Sequence, residues 1–319
     1  MAFAFVFPGQ GSQAVGMGRD LADAFASARH VFQEVDDALN HKLSKLMWEG
    51  PQEELTLTAN AQPALMAHSL AVVRALEAEG GFTLGGRVAL VAGHSLGEYS
   101  ALTAAGAFDV ATAARLLRLR GEAMQKATPP GTGAMAALLG AEIDLAQEIC
   151  AAAATNPETG KKEVVEAAND NGGGQVVISG AKAAVERAIE IAKEKGVKRA
   201  MLLPVSAPFH CALMAPAADA MAEALGKAVM QAPVVPVVAN VSAAKASDPT
   251  EIRDLLVRQV TGTVRWRECV AAMAAMGCDK FVEVGAGKVL SGLMKRNAPE
   301  ATALSIGNPA ELEAFLKSL

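Results

Sequence analysis

The run Val88-Ala89-Leu90-Val91-Ala92-Gly93-His94-Ser95-Leu96-Gly97-Glu98 sets a serine between two glycines directly after an apolar stretch. A serine so placed is a candidate nucleophile. In G-x-S-x-G the glycines permit a strand-to-helix turn too tight for larger side chains, which lifts the hydroxyl above the sheet edge. A hydroxyl needs a base within hydrogen-bond reach to react at neutral pH, and the chain offers five histidines. His30, His41 and His68 fall in helical stretches and read as surface or core fillers. His94 occupies the turn itself, with its ring directed away from the hydroxyl. His210 closes Val205-Ser206-Ala207-Pro208-Phe209-His210, a strand running into a proline-containing loop, where α/β sheets place functional side chains. It is the best candidate base, against the alternative of a histidine that caps a helix. An acid to complete a triad is not evident: Asp144, Asp170, Glu163 and Glu166 lie between the two but belong to a separate sub-pattern. A backbone or amide oxygen would then hold the ring.

Arg120 stands at the centre of an apolar helical face with Leu116, Leu117, Ala123 and Met124, while Arg115, Arg118 and Glu122 share the opposite face. A guanidinium there cannot shed its proton and requires an anionic partner, either a buried Asp or Glu or a bound carboxylate. Gln259 is a similar anomaly on a face with Ile252, Leu255 and Leu256; it serves either a site at the helix end or a structural hydrogen bond. Pro8-Gly9-Gln10-Gly11-Ser12-Gln13-Ala14 approaches a dinucleotide fingerprint. It opens with proline, however, and no acid-ended second strand follows about twenty residues on. Gly285-Ala286-Gly287-Lys288-Val289 lacks the spacing and the Ser/Thr of a phosphate loop, and Gly172-Gly173-Gly174 reads as a turn between strands.

The elements that must position these residues follow an alternating plan. A strand over Ala2 to Phe7, helices, a strand over Arg87 to Ala92 and two further helices predict a parallel sheet flanked by helices. Thr128-Pro129-Pro130-Gly131-Thr132-Gly133 breaks the pattern. Next come strand Met135 to Leu139, helix Ile143 to Ala154, strands Val164 to Ala168 and Gln175 to Ser179, helix Ala181 to Lys195 and strand Val197 to Val205. That βαββαβ order is ferredoxin-like. The first pattern resumes with helix Leu213 to Met230, strand Val234 to Ala239, helices Pro249 to Val260 and Arg267 to Met276, and strand Phe281 to Val284. Asp248-Pro249-Thr250-Glu251 is a helix start, with a capping side chain, proline at the first position and Glu in the first turn.

Composition excludes several classes. At 319 residues, 51% hydrophobic and 4% aromatic, the chain builds a large aliphatic core and is not disordered. A net charge of −5 argues against a general nucleic-acid binder. Cys150, Cys211, Cys269 and Cys278 form no C-x-x-C pair, which points to a reducing compartment. The apolar opening lacks a basic leader and runs into Pro8-Gly9, so it reads as a strand. No stretch suits a membrane span, and a soluble cytoplasmic protein is expected.

Six segments, taken in order, resemble motifs of the acyl transferase family of fatty-acid and polyketide synthesis, in its malonyl-transferring form. They are Phe7-Pro8-Gly9-Gln10-Gly11-Ser12-Gln13, Gly93-His94-Ser95-Leu96-Gly97-Glu98-Tyr99, Leu119-Arg120-Gly121, Val205 to His210, Leu256-Val257-Arg258-Gln259 and Val284 to Leu290. The likeness spans nearly the whole chain. It implies Ser95 as nucleophile, His210 as base, the Gln259 backbone carbonyl as the group orienting His210, and the Gln10 and Leu96 N–H groups as an oxyanion hole. Arg120 would hold the malonyl carboxylate, and Gln62 would line the pocket. The implied fold is α/β, an α/β-hydrolase-like parallel-sheet core over 1–128 and 205–319 with an inserted ferredoxin-like (βαββαβ) subdomain over 129–204. The implied reaction is a ping-pong transfer from malonyl-CoA to the pantetheine thiol of acyl carrier protein, by a monomer without metal or redox cofactor. An acidic carrier calls for a basic patch; Lys182, Arg187, Lys193, Lys195, Lys198 and Arg199 are candidates, or simply a solvated face. Asn169 to Gln175 departs from the family, which more often carries bulkier residues and a proline, so that part of the cleft wall is left open. Three alternatives stand: a serine hydrolase or thioesterase, an acyl transferase with another acyl preference, and a docking module that has kept the fold. Phe209 before His210 resembles the malonyl-selective form.

Overall fold

The computed structural model describes residues 2–319. Its ten strands are β1 (Ala2–Phe7), β2 (Val88–Gly93), β3 (Gly133–Leu139), β4 (Val165–Gly172), β5 (Gln175–Ala181), β6 (Arg199–Leu202), β7 (Val237–Val238), β8 (Lys245–Ala246), β9 (Cys278–Val284) and β10 (Thr302–Ile306). They form two sheets. The larger has the order β10-β9-β1-β2-β7-β8 and is parallel except for β8, which turns back on β7. The smaller, β4-β5-β3-β6, is antiparallel throughout.

Strand β1 lies at the centre of the larger sheet, and its alternation feeds two cores. Phe5 and Phe7 join the cluster built on the helix Thr58–Gly80, while Ala4 and Val6 point to the opposite face, against Trp266, Cys269 and Val270. Because both faces are covered, β1 and β2 read as nearly continuous apolar runs rather than half-polar strands. The smaller sheet lays the helices Ile143–Ala153 and Lys182–Glu194 on one face, around Ala136, Ile149, Ile178 and Val185. All four cysteines are buried and free. Among the described residues no helix is long and apolar enough to cross a membrane.

Several elements differ from the sequence expectation. Strand β4 runs on to Gly172, so Asn169, Asp170 and Asn171 are strand residues. Strands β6 and β7 are shorter than expected, and the helix expected from Leu213 begins as a 3-10 turn, Ala212–Met214, ahead of Ala215–Lys227. The C-terminal segment adds the helices Val289–Asn297 and Pro309–Lys317 around β10, none of which the pattern reading identified. The cap at Asp248 forms as its residues require: the carboxylate accepts from the Thr250 and Glu251 N–H groups, each at 2.9 Å.

Candidate active site

Strand β2 ends at Gly93, and Ser95 follows in the left-handed region at φ 53°, a conformation rare for a residue with a side chain. The flanking glycines are dictated by contact. A Cβ on Gly93 would fall 1.8 Å from the Gly97 carbonyl carbon, and one on Gly97 would fall 2.2 Å from the Phe7 oxygen. The elbow therefore packs its own backbone against the end of β1, which a methyl group would prevent. Asn240, just past β7, secures it from the other side: Asn240 Oδ1 accepts from the Ser95 N–H and Nδ2 donates to the Gly93 carbonyl, both at 2.8 Å. The ends of β1, β2 and β7 thus supply Gln10, Ser95 and Asn240, as expected for the carboxyl edge of a parallel sheet.

His210 Nε2 lies 2.8 Å from Ser95 Oγ, and its Nδ1 lies 2.8 Å from the Gln259 carbonyl oxygen. A carbonyl can only accept, so Nδ1 carries the hydrogen and Nε2 turns its lone pair to the serine. Among the described residues no carboxylate bonds the ring. Burial, and next the positive charge of Arg120, lower the His210 pKa to about 3, against the pull of the Gln259 carbonyl. The ring is therefore neutral at physiological pH and competent to take a proton. His210 also sits in the left-handed region, at φ 57°.

Arg120 is 1% exposed, yet none of its hydrogen bonds reaches a carboxylate. Nη1 donates to Gln62 Oε1 at 2.8 Å; Nη2 donates to Gln259 Oε1 at 2.8 Å and to Ser95 Oγ at 3.2 Å. The guanidinium also lies 5.7 Å from the centroid of the Tyr99 ring. The anionic partner expected from the sequence is thus not in direct contact, and the cation is aimed at the serine hydroxyl. The nearest buried acid is Glu98, whose Oε2 accepts from Gln259 Nε2 at 3.0 Å and from the Asn240 N–H at 2.9 Å. Burial pushes its carboxyl up to about 7 despite those bonds.

These groups line a cavity of about 400 Å³ between the two sheets, with Met135, Asn169 and Val177 forming the wall on the smaller sheet. Gln10, Gln62, Ser95, Leu96, Arg120 and His210 all border it. Among the described residues the backbone N–H groups of Gln10 and Leu96 have no hydrogen-bond partner. The Gln259 side chain lies just behind the lining, its Nε2 also bonding the Ser95 carbonyl at 3.0 Å. His94 points away from the serine hydroxyl, and Nε2 meets Asn171 Oδ1 of β4 at 2.8 Å. His41 pairs with Arg118, and the buried His68 meets the Gly307 carbonyl. Of the six basic residues singled out on the smaller sheet, Lys182, Arg187, Lys193 and Lys195 are in ion pairs with nearby acids.

Sequence reasoning missed Asn240 and gave Glu98 no role. Asn240 had a signal: it is a polar residue at the end of an apolar run, the same position Ser95 occupies after β2. Chemically, a serine with a fixed neutral base, two free backbone donors and a buried cation suits taking up an anionic acyl group on the serine oxygen and passing it to an acceptor.

Comparison with known proteins agrees in length and in shape. Residues 4–308 match the acyl transferase domain family. The malonyl CoA-acyl carrier protein transacylase of Escherichia coli (strain K12) is 47% identical over 315 residues, covering 99% of each chain. The acyl-carrier-protein-S-malonyltransferase structure from Bartonella henselae superimposes with a TM-score of 0.95 at 55% identity, over 100% of this chain and 99% of that one. A malonyl-transacylase solved in complex with a type II PKS acyl-carrier protein gives 0.94 at 44% identity over 100% of both. The cavity between the sheets is therefore that of an acyltransferase, and the chain belongs to the acyl transferase domain family, with malonyl CoA-acyl carrier protein transacylases as its relatives.

Proposed function

We propose that the protein transfers a malonyl group from malonyl-CoA to the pantetheine thiol of acyl carrier protein through a malonyl-serine intermediate, supplying fatty-acid chain extension. The observation that carries this reading is the buried Arg120 guanidinium 3.2 Å from a Ser95 hydroxyl that is itself 2.8 Å from His210 Nε2. In the first half, Ser95 Oγ bonds to the thioester carbon as its proton passes to His210 Nε2. The carbonyl oxygen takes the negative charge and is met by the Gln10 and Leu96 N–H groups, each such donor being worth about 3 kcal/mol in the transition state. As the carbon–sulfur bond breaks, His210 returns the proton to the CoA sulfur. In the second half the carrier's thiol gives its proton to His210 and attacks the malonyl-serine, and the proton goes back to Ser95 Oγ. Throughout, Arg120 clamps the free carboxylate, Gln62 helps hold Arg120, and the Gln259 carbonyl keeps the imidazole in one tautomer.

We read residues 1–128 and 205–319 as an α/β-hydrolase-like core and residues 129–204 as a ferredoxin-like insert, the whole acting as a cytoplasmic monomer. The similarity to a malonyl-transacylase solved with its carrier supports the choice of acceptor.

Intact mass after mixing with malonyl-CoA tests the reading, with Ser95→Ala as control and a chase with pantetheinylated carrier protein. The expected result is a malonyl adduct that needs Ser95, persists in buffer and moves to the carrier. An adduct lost to water at the same rate without carrier means a hydrolase, and no adduct overturns the reading.

A further inference from the structure

Glu98 is a buried charge that the transfer steps leave unused. It sits in the first turn of the helix Gly97–Ala104, under the serine turn, and is 1% exposed. Its Oε2 accepts from Gln259 Nε2 at 3.0 Å, while the other end of that amide, Oε1, accepts from Arg120 Nη2 at 2.8 Å. A single amide group therefore separates a buried carboxylate from a buried guanidinium. Its orientation admits no reversal, because a guanidinium only donates and a carboxylate only accepts. The other titratable groups facing Glu98 are Tyr99 on its own helix and Cys269 on the helix Trp266–Ala275. Burial raises both of their pKa values, so each is neutral, and Arg120 is the charge Glu98 faces.

We propose that Glu98 tunes selectivity for the malonyl group, acting through the Gln259 amide as the resident counter-charge of Arg120. The inference rests on the malonyl-transfer reading above. With Glu98 ionised, Arg120 is already offset, and an arriving malonyl carboxylate takes the cluster from net zero to net −1 beside two groups that are each 1% exposed, where screening is weak. Uptake of one proton from solvent at Glu98 relieves that excess. The carboxyl is poised for this, since burial already pushes it up to about 7. The sign follows: malonyl groups bind best below pH 7, where Glu98 is neutral, and less well as pH rises through that value. An acetyl group carries no charge to feel the difference.

Glu98→Gln keeps an acceptor oxygen of the same reach and removes the charge. At pH 8 its KM for malonyl-CoA is expected to fall about 5-fold below that of the unaltered protein, a typical size for coupling between two sites. The two proteins converge at pH 6, and KM for acetyl-CoA is unchanged at both. No change, or malonyl and acetyl shifting together, overturns the proposal in favour of a merely structural Glu98. Should Glu98→Gln not fold, calorimetry on the Ser95→Ala protein at pH 7.5, in two buffers of different ionisation heat, reads the proton directly. Uptake with malonyl-CoA and none with acetyl-CoA is expected, and equal heats in both buffers overturn it. Absence of any malonyl adduct on the unaltered protein would instead defeat the transfer reading itself.

Discussion

Among the described residues Arg120 is the one arginine or lysine that borders the cavity, so under the proposed reading it is the cation that meets the malonyl carboxylate. Two charge-assisted hydrogen bonds to a carboxylate are worth about 3 kcal/mol or more together. Arg120→Ala is therefore expected to lower kcat/KM for malonyl-CoA at least about 100-fold while sparing acetyl transfer, and equal losses for both would remove the clamp role. His210 gives a second expectation. A histidine whose pKa is lowered to about 3 loses its lone pair only as pH falls toward that value. Single-turnover malonylation at saturating substrate should thus show no ionisation near pH 6.5, and a half-maximal rate there would contradict the neutral, buried base. Ser95, His210 and Arg120 are legible in the sequence because each breaks a local pattern: a serine between glycines, a histidine after proline at a strand end, a cation on an apolar face. Glu98 is not, because an acid in the first turn of a helix is ordinary. Its contact with Asn240, 142 positions away, is what sets it apart.

The helix Pro249–Thr261 brings Gln259 to the back of the site, and its start is fixed by Asp248. Removing that cap by Asp248→Ala should cost about 1 kcal/mol in chemical denaturation, with kcat nearly unchanged, since Gln259 lies three turns further on. A large loss of kcat would mean that the cap, rather than packing of Ile252, Leu255 and Leu256, holds the helix in register. The capped helix Pro249–Thr261 was legible from sequence, whereas Pro309–Lys317, capped by Asn308, was not; the short strands β6 and β7 were expected in place but too long. β7 has two residues and β6 is mostly exposed, so neither has a buried alternation long enough to mark its ends. The extension of β4 through Asn169-Asp170-Asn171 runs against strand propensity. It is held by contacts remote in sequence: the Asp170 N–H donates to the Val264 carbonyl at 2.9 Å, Asn171 meets His94, and the Asn171 carbonyl accepts from Asn297.

Those contacts join the two sheets across the cavity. Asp170, 2% exposed in its side chain, accepts from Arg267 Nε at 2.9 Å, tying β4 to the helix Trp266–Ala275. Asp170→Asn leaves the backbone bond to Val264 and breaks the charge pairing. A cost of about 2 kcal/mol is expected, because Arg267 remains partly solvated. If this tie keeps water from the acyl-serine, the malonyl adduct of the variant will also decay faster in buffer by intact mass; an unchanged lifetime would assign the exclusion of water elsewhere. That the chain builds one parallel-containing sheet and a separate antiparallel sheet was legible from the chain break at Thr128 to Gly133 and from the order of periodic segments. The ties between the sheets were not, since they depend on which polar residue of β4 meets which partner.

Ser95 and His210 are 115 positions apart, and the second arrives only on the segment that returns from the smaller sheet. At the crossing, the ring of Pro208 fills the space where a Cβ of Gly133 would lie, so departing and returning chains close together. If Ser95 is the nucleophile and His210 its base, a nascent polypeptide displays the one long before the other, and the loop between them must be closed against chain entropy. Until then the serine is an inert alcohol. On that reading a chain that has not closed this loop lacks the base that acylation from a thioester needs, and the onset of reactivity would report the closure.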